Sequence, residues 1–188
     1  MPGTDMERVL PNVWRWAEPE GDRCGTALKT EDGLVLVDPP ALARDERVFL
    51  EGVAGPVRHV VLTSARHREL AAPHAGARVH VAGVEALPGG LLPCALPLED
   101  EAAVLWPEAG DGLLLVGDAL PFIGQTPVYR ERLDSPVNGA AGDRWTEPGI
   151  ALFQDTISAL LAADPKAIAP SRQAPPDRWV MFATAYAA

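Results

Sequence analysis

One short run sets several reactive groups side by side: Ser64-Ala65-Arg66-His67-Arg68-Glu69, which follows Val60-Val61-Leu62-Thr63. It sets an imidazole, the side chain that titrates nearest neutrality, beside a carboxylate, a hydroxyl and two guanidiniums. A second carboxylate, Asp118, stands just past the apolar run Leu113-Leu114-Leu115-Val116. If folding joins them, His67 with Asp118 or Glu69 makes a general acid and base pair, and the three together suffice for one divalent metal. Plainer readings compete. Asp118 equally suits a buried ion pair with an arginine or an exposed strand end, and His67 a polar pocket residue.

The other candidates are weaker. His80 alternates with Val79 and Val81, so it is expected off the apolar face of a strand, at solvent or the sheet surface, and His59 reads as structural. Cys24 and Cys94 have neither disulfide-framework nor zinc-knuckle spacing and read as small buried hydrophobes. Two isolated cysteines suit a reducing compartment. The first twelve residues contain no apolar leader, and no stretch approaches the roughly 18 apolar residues of a membrane helix, so the expected location is the cytoplasm.

Composition narrows the partners. The chain has 188 residues, 47% apolar and 22% charged, enough to bury a sizeable core without staples. Its 26 acidic against 16 basic residues give a formal charge of −10, which repels a phosphate backbone and argues against nucleic acid. Between Arg78 and Arg130 there is no Lys or Arg, while seven acidic residues fall there, which reads most simply as a solvated acidic face.

The elements that must position these groups are short, because 19 Pro and 17 Gly punctuate the chain. Strands are expected at 13–16 and 25–30, and Asp32-Gly33 leads into the buried run Leu34-Val35-Leu36-Val37, which stops at Asp38-Pro39-Pro40. A helix over 41–52 would put Leu42, Val48, Phe49 and Val53 on one face. Further strands are expected at 60–62, 78–82, 102–106, 113–116 and 167–169, with a short helix after Thr63. Helices are also expected over 148–163 and 177–186, and 126–142 reads as an irregular excursion suited to a subunit contact. Strands this apolar need cover on both faces, so two sheets with helices outside use them best.

Three segments in order, Asp32-Gly33-Leu34-Val35-Leu36-Val37-Asp38, Val60-Val61-Leu62-Thr63 and Leu115-Val116-Gly117-Asp118-Ala119-Leu120, resemble the metallo-β-lactamase fold family over positions 9–173. The resemblance implies an α/β fold of the αββα type, a four-layer sandwich of two mixed sheets with helices outside, formed as one domain over 1–188, with the site along the sheet edges. In that family a His-x-His-x-Asp-His loop follows the Thr and holds two metal ions. Here Ser64 and Arg66 fall on the first two histidine places, Arg68 on the aspartate's and Glu69 on the last histidine's, while His67 falls on a position that is not a ligand. The later histidine places fall near Pro97, Leu98 and Glu99, and at Ser171-Arg172; only Asp118 matches its counterpart, the aspartate that bridges the metals.

A guanidinium has no lone pair to donate and repels a dication, so arginine cannot stand in as a ligand. The expectation is a relative that keeps the sandwich without the dinuclear centre, with an arginine in place of the metal's charge. Ser64, Arg66, His67, Arg68 and Glu69, with Asp38, Asp118 and Arg172, would line its pocket, suited to a small anion or to no ligand. No cofactor is expected. The alternatives are a divergent hydrolase acting through His67 with Asp118 or Glu69, with one divalent metal or none, and a structural partner that assembles as a homo-oligomer.

Overall fold

The computed structural model describes residues 6–18, 23–97, 100–109, 112–117, 122–123, 126–127, 155, 158–159, 162–165, 167–171 and 182–183. Six strands form the first sheet in sequence order: β1 (Glu7–Leu10), β2 (Val13–Ala17), β3 (Cys24–Thr30), β4 (Gly33–Val37), β5 (Val57–Leu62) and β6 (Arg78–Val81). The first four run antiparallel, with two-residue turns joining β1 to β2 and β3 to β4; β4, β5 and β6 run parallel because helical segments carry the chain between them. The second sheet has the order β13-β12-β9-β8-β7. Its members are β7 (Leu92–Ala95), β8 (Ala102–Trp106), β9 (Leu113–Val116), β12 (Ala167–Pro170) and β13 (Phe182–Ala183), with β9 and β12 parallel and the other pairs antiparallel. A small ladder pairs β10 (Phe122–Ile123) with β11 (Thr126–Pro127).

The central strands of the first sheet are apolar on both faces because that sheet is covered twice, by the second sheet and by a helix. Val13, Leu28, Val35, Val37 and Val61 of the first sheet meet Val104, Trp106, Leu113 and Leu115 of the second to form the inner core. The opposite face of the first sheet, with Trp14, Trp16, Leu34, Leu36, Val60 and Leu62, packs under helix α1 (Arg44–Ala54) through Leu50 and Ala54. On the second sheet the outer face carries Ala103, Leu114, Val116 and Ile168, against which Ala163 packs. Of the segment expected to be helical over 148–163, Asp155, Ser158, Ala159 and Ala162 are described and helical, and Asp155, Ser158 and Ala162 are exposed. Among the described residues no helix is long and apolar enough to cross a membrane.

Several elements differ from expectation. Helix α1 begins at Arg44, where Glu46 accepts a hydrogen bond from the Ala43 N–H at 2.9 Å, and ends at Gly55, whose φ is 89°. The expected buried face is wrong: Val48, Phe49 and Val53 are exposed, and Glu46, Leu50 and Ala54 point inward. The expected face was anchored on Leu42, which lies before the helix and packs on the same layer from extended chain. Strands β1 and β7, half polar or holding a proline, were not anticipated. Within 177–186, expected to be helical, Phe182 and Ala183 are instead a strand paired with β12. Most of 126–142 lies outside the described residues.

Candidate functional site

Two parallel strand pairs, β4 with β5 and β9 with β12, direct their carboxyl ends to one corner of the sandwich, where open α/β sheets place their ligands. Asp38 follows β4, Thr63 follows β5, Gly117 follows β9 and Ser171 follows β12. Asp38 adopts the left-handed conformation, φ 42°, which an L-residue enters at a cost of about 1 kcal/mol and Asp tolerates better than most. That turn aims its buried carboxylate across the corner. Oδ1 accepts the Thr63 backbone N–H at 2.9 Å, and Oδ2 accepts the hydroxyls of Thr63 at 2.6 Å and Ser171 at 2.9 Å. The Nδ1 of buried His67 lies 3.5 Å from Asp38 Oδ1.

A second group sits beside the first. The Thr63 carbonyl accepts the Ala102 N–H at 2.9 Å and Ser64 bridges to Glu101, so the site loop is stitched to the start of β8. Ser64 Oγ accepts from Arg66 N at 3.2 Å and Arg66 Nε at 3.3 Å, and caps the 3-10 segment Ala65–His74. Arg66 then pairs through Nη2 with the Glu101 carboxylate. The acid is sunk, with 2% of its side chain exposed, and the base lies over it, with 56% exposed. His67 sits at a kink in this segment, φ −90° and ψ 18°, which turns its ring down toward Asp38.

The corner therefore gathers Asp38, Ser64, Arg66 and His67 from the expected pocket. Arg68 and Glu69 are exposed, and Glu69 faces Arg23 at 4.0 Å rather than His67. Asp118 and Arg172 lie outside the described residues. Sequence reasoning missed Thr63 and Ser171 as partners of Asp38, and Glu101 as partner of Arg66. The acidic run ending at Glu101, just before an apolar strand, was the signal available for the last of these.

It also missed Arg15. Trp14 and Trp16 face the α1 layer, so alternation along β2 turns Arg15 inward with Val13, where it is fully buried. Its Nη2 donates to the Pro170 carbonyl at 2.6 Å. Burial pulls the guanidinium below its usual range, and Cys24 partly restores it.

The remaining histidines lie away from the corner. His80 is 4% exposed rather than at the sheet surface, because it projects toward His59 on β5, with His59 Nδ1 and His80 Nε2 3.1 Å apart. Glu85 lies 3.4 Å from its other nitrogen. Burial and the neighbouring His80 push His59 below the ordinary histidine range; burial and Arg47 do the same to His74.

The described donors do not fit a dinuclear metal centre. Asp38 is committed to three protein donors and Glu101 to a guanidinium, which leaves His67 as the one imidazole at the corner among the described residues. Among them, no group of three or more His, Cys, Asp or Glu side chains is arranged to hold a metal ion.

No family model and no curated protein matches the chain. Solved structures do. The mono-zinc form of the metallo-β-lactamase FIM-1 from Pseudomonas aeruginosa superposes with a TM-score of 0.64 at 15% identity, over 92% of this chain and 88% of the other. A metallo-β-lactamase from Erythrobacter litoralis gives 0.58 at 19% identity, over 92% and 86%. The Flv1 flavodiiron core from Synechocystis gives 0.53 at 13% identity, over 90% of this chain and 57% of that one. At such identities the likeness carries architecture and not activity. Two mixed sheets face to face, a helical layer on the first, and a corner where the ends of β4, β5, β9 and β12 meet are the metallo-β-lactamase fold, and this chain has it.

Proposed function

We propose that the protein is a non-catalytic member of this fold that binds a small anion at the corner. The observation that supports this most is Arg66. Glu101 and Ser64 hold it over the site loop while more than half of its side chain stays open to solvent, and Arg68 is exposed two residues on. A guanidinium fixed in this way presents its remaining N–H groups to a carboxylate or phosphate in planar, charge-assisted geometry. The test is calorimetric titration with inorganic phosphate and with acetate. Saturable binding that weakens about tenfold or more in Arg66→Ala is expected, since a charge-assisted hydrogen bond contributes about 1.5–3 kcal/mol. No saturable binding of either probe, or affinity unchanged in that variant, would contradict the proposal.

A second reading, a divergent hydrolase, draws on the hydroxyls of Thr63, Ser64 and Ser171 around the His67–Asp38 contact. In it Asp38 orients the imidazole, where the sequence offered Asp118 or Glu69 as the partner of His67, and His67 acts as general base. Ester and lactone hydrolysis that disappears in His67→Ala, with folding intact, would favour this reading over the first.

A further inference from the structure

Arg15 and Cys24 stand out because a buried guanidinium without a carboxylate is among the most unfavourable arrangements a protein interior can hold. Arg15 is fully buried, one nitrogen bonds a carbonyl, and its Nε and Nη1 have no hydrogen-bond partner. Among the described residues it forms no ion pair with Asp or Glu. The register of β2 on β3 sets Arg15 opposite Thr26 and Ala17 opposite Cys24, so Cys24 is the diagonal neighbour of Arg15 on the same inward face. Cys24 is not in a disulfide and is 1% exposed.

Among the described residues, the other groups facing this space do not cancel the charge. Asp38, at the end of β4, is held by Thr63 and Ser171; β3 offers Thr26, whose side chain is uncharged, and β12 offers backbone carbonyls. Loss of the Cys24 proton would turn a buried cation that has no carboxylate partner among the described residues into a neutral pair. We propose that Cys24 is a thiolate, the counter-ion of Arg15, and that it is a modification site for a small uncharged hydroperoxide. The thiolate attacks one oxygen of hydrogen peroxide; the S–O bond forms as the O–O bond breaks, and the departing hydroxide takes the transferred hydroxyl's proton. Sulfur loses two electrons, the peroxide becomes water, and the sulfenate stays beside Arg15. The product would be felt at the corner, because the Cys24 N–H donates to the Ser171 carbonyl and the Ser171 hydroxyl to Asp38.

The experiment uses the full chain with Cys94→Ser, so that Cys24 is the one thiol. Its ultraviolet thiolate band is followed against pH in the folded protein. One thiolate per chain already present at about pH 7, and absent in Cys24→Ser, is expected; a band that rises only above about pH 8.5 overturns the proposal. Arg15→Met should raise the onset by about one pH unit or more, and an unmoved onset counts against the pairing; if that variant does not fold, the first comparison decides. Intact mass after hydrogen peroxide and dimedone should show one trapped sulfenate in Cys94→Ser and none in Cys24→Ser. A thiolate band without any adduct overturns the modification site.

Discussion

A methyl group on Gly117 would overlap the Thr63 hydroxyl and lie 3.4 Å from Asp38 Oδ2, so the absence of a side chain there is what lets β9 reach the corner. Gly117→Ala is expected to destabilise the fold by about 2 kcal/mol, the usual cost of overpacking, read as a lower urea midpoint at unchanged slope. Thr63→Val removes a hydroxyl donor from a buried carboxylate and should cost about 1.5–3 kcal/mol. An unchanged midpoint in either variant would mean that the Asp38 network does not close the corner. Histidine sets the acid limit at the same scale. His59 and His74 both titrate below the ordinary 6.5, so the unfolded chain takes up their protons first. Their contribution is complete above about pH 6.5 and is lost as pH falls through that value toward the lower folded-state values. Neither nitrogen of buried His74 has a hydrogen-bond partner, so His74→Leu should flatten the fall in urea midpoint between about pH 7.5 and about pH 5.5. A slope as steep as in the parent chain would remove His74 from this account.

At the scale of elements, helix α1 shows where periodicity stops being informative. It has apolar residues on more than one side, and the sheet selects Leu50 and Ala54, whose small or flexible side chains let the helix sit close. Leu50→Ala should cost about 2–5 kcal/mol, whereas Phe49→Ser, on the exposed side, should leave the urea midpoint nearly unchanged. The reverse ranking would restore the face expected from sequence. The inner strands were legible because runs such as Leu34 to Val37 and Leu113 to Val116 are apolar on both faces, which only a doubly covered sheet satisfies. Strands β1 and β7 were not, since their sequences look like loops and only pairing with β2 and β8 makes them extended.

For the whole molecule, the order of three strand-end motifs was enough to anticipate the sandwich, because each ends a parallel strand at the same corner. What closes that corner was not readable. Ser171 reaches Asp38 across 133 positions, Arg66 reaches Glu101 across 35, and Arg15 looks in sequence like an ordinary polar position between two tryptophans. Such contacts depend on how the two sheets stack, which no local pattern encodes. Among the described residues, the carboxylates of the corner, Asp38 and Glu101, are held by hydroxyls, a backbone N–H and a guanidinium. Metal analysis of the protein purified without chelator, followed by calorimetric titration with zinc, tests this arrangement most directly. Substoichiometric metal and no tight zinc isotherm are predicted; one or two zinc ions held tightly per chain, and lost in His67→Ala, would contradict it.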